Sequence, residues 1–282
     1  MPRRDDSFKI ATRTLRTLDL EHYFATLVLP RRDRKYVQGL YAYGAELAAV
    51  RERVSEPGPG EIRLKWWADA FEGTEHGDVR ANPVADALFD AIETFGLKGG
   101  PFERMATARR FDLYDDPMPN LTQLEGYAGE TTSILYQIAA IIVNGGKESG
   151  TADAAGHLGV AEVLARHLMT MPQDFTRHRI RVPLSVFVAA GTSEAELLAG
   201  KQTPGLLAAT AQLREVARSH LAKARVALAH VPKRVRPVFA PIALAELNLD
   251  RLDRGGATPL EPVHPAADWR KLAAVVGFSL VA

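Results

Sequence analysis

The sequence predicts an all-α protein folded as a single domain, residues 1–282. Apolar residues recur at three- and four-residue spacing through most of the chain, the pattern of helices with one buried stripe. No alternating period-two stretch of useful length occurs outside Ile180 to Val188. The periodic segments are joined by short Pro/Gly loops, which suits a helical bundle better than a string of modules. With 46% hydrophobic and 24% charged residues, the chain has an ordinary globular composition and the length to bury a sizeable core.

Asp5 to Leu27 reads as one amphipathic helix, with Phe8, Leu15, Leu18 and Leu20 among charged residues, and Pro30 breaks it. Arg31 to Lys35 is a basic run at a helix start, where the macrodipole disfavours cations. It is either a solvated face or a patch for anionic lipid headgroups. Val37, Leu40, Gly44, Leu47, Val50 and Val54 form the buried stripe of the next helix, and Pro57-Gly58-Pro59-Gly60 ends it. Glu61 to Phe71 is helical again and carries Trp66-Trp67, of which one is expected in the core. Gly73 to Gly77 is a loop, followed by a helix over Pro83 to Phe95 and another that ends near Asp112 to Asp116, before Pro117.

Leu121 to Val143 reads as the longest apolar helix, interrupted by the polar run Gly129 to Ser133 and stopped by Asn144-Gly145-Gly146. Ala152 to Met171 leads to Pro172. Ser193 with Glu196 is a capping box, and Thr203-Pro204 opens a long helix running to about His230. Pro232 to Arg254 gives another helix, Gly255 to Pro265 a loop, and Trp269 onward a last one. The run Leu272 to Ala282 is too short to span a bilayer, which leaves a core helix or a peripheral membrane foot.

Several function classes fall away. A net charge of +1 offers no basic excess for phosphate backbones, so no nucleic-acid partner is expected. The absence of cysteine excludes disulfides, thiolate metal sites and cysteine nucleophiles. Gly145-Gly146-Lys147-Glu148-Ser149 lacks the spacing of a phosphate loop, and there is neither a Gly-x-Ser-x-Gly elbow nor a His-Glu-x-x-His zinc helix. Asp5 and Asp6 follow Arg3 and Arg4 with no apolar run behind them, so no signal or transit peptide is expected. The expected location is the cytoplasm, with peripheral contact to a bacterial inner membrane as the variant.

Three stretches together resemble the squalene/phytoene synthase family of head-to-head prenyl transferases. They are Leu40-Tyr41-Ala42-Tyr43 with Glu61 to Trp67; Asp112-Leu113 with Leu124 to Tyr127; and Gly156-His157-Leu158-Gly159 through Asp174 with Arg179-Ile180-Arg181-Val182-Pro183. Their order and spacing match over about residues 10–250, leaving residues 255–282 as a C-terminal extension. The resemblance implies an isoprenoid-synthase-type helical bundle around a central cavity. In the active family, carboxylates on two facing helices hold Mg²⁺ against a diphosphate leaving group.

This sequence departs from that pattern. Family aspartates of the first motif fall at Ala48 and Glu52, so only Glu52 remains acidic. Second-motif positions fall at Arg166, Thr170, Gln173 and Asp174, so only Asp174 remains. Glu52 and Asp174 are the residual metal candidates, and Asp112 joins them if the chain is an active enzyme. The resemblance implies a cavity wall of Tyr41, Gly44, Ala45, Ala48, Glu52, Ser133, Arg166, Thr170 and Asp174, with Arg177 and Arg179 nearest a phosphate. If Glu52 and Arg166 face each other, an ion pair across the old metal site is expected.

The spelling Ala45-Glu46-Leu47, Val54-Ser55-Glu56-Pro57 and Tyr127-Ala128-Gly129-Glu130-Thr131 resembles a divergent branch of the family. That branch includes a mitochondrial assembly factor for respiratory complex I and its bacterial relatives. It implies a scaffold without prenyl transfer, subunits of a respiratory complex as partners, and no cofactor. Two alternatives stay open: a Mg²⁺-dependent transferase acting on farnesyl or geranylgeranyl diphosphate, and a protein that sequesters an isoprenoid or quinone-like lipid.

Overall fold

The computed structural model describes residues 4–73 and 77–281, which contain fourteen α-helices and no strand. Arg3 and the middle of the Gly73 to Gly77 loop lie outside the described residues. Among the described residues, no helix is long and apolar enough to cross a membrane.

The first predicted helix is two: α1 (Arg4–Leu18) and α2 (Leu20–Thr26). Asp19 breaks it by leaving the helical region, at φ −146°, and accepting the His22 backbone N–H with its carboxylate. An aspartate that can cap competes with helix continuation. Helix α3 (Arg31–Ala48) also stops early, and a 3₁₀ turn over Arg51–Arg53 carries Glu52 away from the helix that holds Ala48.

The Pro57 to Gly60 run is not a spacer. It forms the first turn of α4 (Pro57–Glu72), where a proline forfeits no hydrogen bond. Trp67 is in the core, and Trp66 is partly buried edge-on to it with centroids 4.8 Å apart. Asn82 caps α5 (Pro83–Phe95) by accepting the N–H groups of Val84 and Ala85, and α6 (Gly100–Ala108) follows.

Helices α7 (Leu121–Ala128) and α8 (Ile134–Val143) are joined by a π-turn over Gly129–Ser133, where the sequence shows its polar interruption. The longest helices are instead α9 (Ala152–Thr176) and α12 (Pro204–Leu228), each of 25 residues. Helix α9 runs through Pro172 rather than stopping before it. The turn beyond is held by Arg179 N–H donating to the Asp174 carbonyl at 2.9 Å and by Thr170 Oγ1 donating to the Asp174 carboxylate at 2.6 Å.

The alternating stretch Ile180 to Val188 forms no strand. Met118 pairs with the Ile180 and Leu184 backbones, and the chain then turns into α10 (Leu184–Ala189). The Ser193/Glu196 capping box is present at the start of α11 (Glu194–Leu198). A 3₁₀ turn over Arg236–Phe239 precedes α13 (Pro241–Arg254), and α14 (Asp268–Val281) follows.

Helix α9 is the spine, packed by α12, α13, α8 and the π-turn, while α3 is packed by α1, α5 and α8. Two close approaches set these contacts. A Cβ at Gly159 would lie 2.7 Å from the Ser133 backbone nitrogen, and one at Gly44 would lie 2.8 Å from Leu135 Cδ1. The small face of α3 is thus shared between two jobs: Gly44 seats α8, while Ala45 and Ala48 face a cleft.

Candidate active-site cleft

The cleft has a volume of about 530 Å³ and lies between the end of α1, α3 and α9. Ala45, Ala48, Glu52, Arg166, Thr170, Asp174 and Arg177 line it, with Asp19, Arg109, Asp112, Tyr127, His167 and Arg181. Three residues expected on its wall are elsewhere. Gly44 is under Leu135, Ser133 is buried against Gly159 and donates to the Gly156 carbonyl at 3.2 Å, and Tyr41 is in the core beside His22 and Tyr136. The polar π-turn and the inward face of α3 serve helix packing at those positions. Helix α8 does not line this cleft.

The expected Glu52–Arg166 ion pair does not form. Glu52 instead accepts from Arg177 at 3.1 Å, Arg179 at 2.6 Å and Arg181 at 3.4 Å. Burial disfavours its charge, but the three arginines outweigh that and hold the carboxyl below the usual range. Arg179, itself buried, also reaches Asp115 at 2.8 Å, and Arg51 donates to the same carboxylate at 3.1 Å. Asp115 is therefore more than a polar helix end. It adopts a left-handed conformation, φ 55°, and His178, between Arg177 and Arg179, does so at φ 56°. Aspartate and histidine tolerate this conformation better than most residues, and Asp115 is held in it by Arg51 and Arg179.

Arg166 has other partners. It pairs with Glu162, one turn back on α9, and lies 3.7 Å from Asp19. These three belong to a partly buried network that sequence periodicity did not reveal. His22 Nδ1 lies 2.7 Å from the Asp19 carboxylate and Nε2 lies 3.0 Å from the Tyr136 hydroxyl. The Tyr136 hydroxyl in turn donates to Glu162. Burial alone would strip the proton from His22, yet Asp19 and Glu162 outweigh it and push its pKa up to about 9. Burial would likewise raise the Asp19 carboxyl, but His22 and Arg166 hold it well below the carboxylate range. The imidazolium can donate at both nitrogens, which satisfies the whole chain of acceptors. The sequence signal available for this network was weak: Glu162 among apolar residues, with Arg166 four positions on.

The remaining acids are also engaged. Asp112 accepts from Tyr127 at 2.8 Å and from Arg109 at 3.2 Å. Burial raises the Asp174 carboxyl, opposed by the Thr170 hydroxyl and by Arg181, which lies 3.5 Å away. Next to them His167 is held neutral: burial first, then Arg181, push its pKa down to about 3, and its Nδ1 meets the Arg181 carbonyl at 2.9 Å. A Mg²⁺ ion wants nearly octahedral hard oxygen donors free of competing cations. Here Glu52, Asp112, Asp174 and Asp19 each face an arginine, and no three His, Asp or Glu side chains among the described residues converge as a metal site. The residues present do not fit a Mg²⁺ cluster.

A second cleft of about 350 Å³ adjoins the first and shares Leu18, Asp19, Arg166 and Thr170 with it. It is walled by Leu18, Leu20, Met169 and Leu244, and Asn248 donates from its rim to Glu21 at 3.2 Å. The Asn248 side-chain oxygen is buried without a partner.

Comparison with known proteins places this geometry. The squalene/phytoene synthase family model matches residues 15–272. Complex I assembly factor 6 of Rattus norvegicus is 28% identical over 249 residues, covering 88% of this chain and 74% of its own. Phytoene synthase of Thermus thermophilus is 29% identical over 260 residues, covering 89% and 85%. Among solved structures, a dehydrosqualene synthase superposes with a TM-score of 0.81 at 18% identity, covering 99% of this chain and 97% of its own. Squalene synthase HpnC of Alicyclobacillus acidocaldarius superposes with a TM-score of 0.76 at 20% identity, covering 90% and 95%. These structures share the isoprenoid-synthase fold, and the chain belongs to the squalene/phytoene synthase family.

Proposed function

We propose that this chain is a non-catalytic member of its family that acts as a scaffold or assembly factor for a respiratory membrane complex. One observation carries the reading: the acids that would hold metal in the cleft are paired with arginines. Glu52 alone is held by three. Two unit charges about 4 Å apart interact by roughly 4 kcal/mol at an effective dielectric near 20. A Mg²⁺–diphosphate cluster would have to displace several such pairs. The relatives named as complex I assembly factors supply the class of partner.

The test has two arms. Purified protein is incubated with labelled farnesyl or geranylgeranyl diphosphate and Mg²⁺, and no prenyl product is expected. The encoding gene is deleted in its host, and complex I is followed by native gel and NADH:quinone activity, both of which should fall and recover on complementation. Turnover that is lost in Glu52→Ala would replace this reading with the transferase.

A second reading, retention of an isoprenoid or quinone-like lipid, is favoured by the smaller cleft, with apolar walls and the unpartnered Asn248 oxygen. Mass spectrometry of organic extracts of the purified protein tests it.

A further inference from the structure

We propose that the outward face of α14, with the basic rim beside it, is a docking surface for an anionic lipid bilayer. Four of the eight large hydrophobic side chains exposed among the described residues lie on this helix: Trp269, Val276, Leu280 and Val281. Leu280 is 81% exposed and Val281 83%. They fall on one stripe with the exposed Ala273 and Gly277, at the spacing of a single helix face. The stripe runs about 18 Å at 1.5 Å per residue.

The opposite face is what fixes the helix to the protein. Val275 and Phe278 are buried there, Lys271 pairs with Glu21 of α2 at 3.0 Å, and Arg225 lies over the Phe278 ring. Helix α14 therefore has two apolar faces, and only one has found a partner within the chain.

Charge selects the occupant. The 3₁₀ turn Arg236–Phe239 packs against α14, and just before it Lys233 and Arg234 are exposed. Arg234 lies 3.9 Å from Asp33 in the first turn of α3, where Arg31, Arg32 and Lys35 are exposed too. Of the acids nearby, Asp33 is buried under Arg32 and Glu21 is held by Lys271, which leaves the exposed Asp268 at the start of α14, two residues before the exposed Arg270. Apolar side chains projecting past a rim of cations match an interfacial helix, whose tryptophan and aliphatic residues enter the acyl boundary while lysine and arginine meet headgroup phosphates. A second copy of the chain on this face would set the same cations against each other. The surface stands apart from the cleft, so the proposal holds whether or not the cleft is catalytic.

The test is flotation of the full-length protein with phosphatidylcholine vesicles, with and without about one-third phosphatidylglycerol. The expected result is binding that needs the anionic lipid, weakens with salt, and shifts Trp269 emission to the blue, a shift absent in Trp269→Phe. The double variant Leu280→Glu/Val281→Glu should lose at least about tenfold in partitioning. The double variant Lys233→Glu/Arg31→Glu should lose about fivefold or more per charge. Both pairs are exposed, so melting temperatures should stay at the wild-type value and separate lost docking from lost fold. No flotation with either vesicle, binding unchanged in both variants, or a dimer dissolved by Leu280→Glu without vesicle binding would each overturn the proposal.

Discussion

Glu52 and Arg166 border the same cleft without touching: Glu52 is clasped by Arg177, Arg179 and Arg181, while Arg166 holds Glu162 and Asp19. Each residue draws its charge into a separate local network. Glu52→Ala should therefore leave the interior network intact and release the loop arginines. The carboxylate is about half exposed, so the stability cost should be near 1 kcal/mol or less. Freed of their counterion, the arginines should take up sulfate or inorganic diphosphate that the wild type binds more weakly, as isothermal titration would register. Equal affinities in the two proteins would contradict the clasp.

Restoring acids tests the same site from the opposite side. Ala48 and Thr170 both face the cleft, and Glu52 and Asp174 remain beside them. The double variant Ala48→Asp/Thr170→Asp should bind Mg²⁺ or Mn²⁺ in the millimolar range, measurable by Mn²⁺ electron paramagnetic resonance, where the wild type shows none. Adding Arg166→Asn should tighten binding further, because it removes a cation from the wall. Manganese binding by the wild type as tight as by the variants would show that the arginines do not block the site.

Helix positions were legible because apolar spacing, Pro at helix starts and Gly at helix ends act locally. The capping pair Ser193/Glu196 and the Thr203-Pro204 start were read directly. Local signals failed where one side chain had two options. Asp19 could continue a helix or cap one, and its capping of α2 was decided together with its ion pair to His22. The site was legible in part, since Ala48, Glu52, Arg166, Thr170 and Asp174 do meet at one cleft. Their partners were not, because Glu52 finds arginines 125 to 129 positions away and Tyr136 reaches His22 across 114. Such separations carry no periodicity for a single sequence to display.

Close packing of α9 on the π-turn gives a sharp stability prediction. Gly159→Ala would put a methyl against the Ser133 backbone, which cannot rotate aside as a side chain could. The expected loss is about 3 kcal/mol or more, at the upper end for overpacked cores, read from the urea midpoint. Gly44→Ala meets only the Leu135 side-chain tip and should cost clearly less. Equal costs would mean that the π-turn can move.

Glu162 anchors the interior network, and its removal should be expensive. Glu162→Gln leaves the buried, protonated His22 and the part-exposed Arg166 with one acid fewer. Breaking a fully buried pair costs about 3 kcal/mol, and solvent screening at Arg166 brings the expected loss to about 1–2 kcal/mol. The double variant Glu162→Leu/Arg166→Leu removes both charges and should recover part of that loss. A single variant costing under 1 kcal/mol would show the network to be well solvated.

Two histidines then set opposite limbs of the pH–stability curve. His22 has a folded pKa of about 9 against an unfolded value of 6.5. Its stabilisation is complete below pH 6.5 and is lost as pH rises through about 9. His167 has a folded pKa of about 3 against the same unfolded value. The unfolded chain gains a proton at His167 below pH 6.5 that the folded protein refuses, so stability falls from there towards pH 3. Together they predict a maximum near neutral pH. Chemical denaturation at intervals between about pH 4 and 9.5 should show His22→Gln flattening the alkaline limb and His167→Gln flattening the acid limb, each leaving the other in place. A variant that flattened both limbs, or neither, would mean that the two histidines do not titrate as their surroundings dictate.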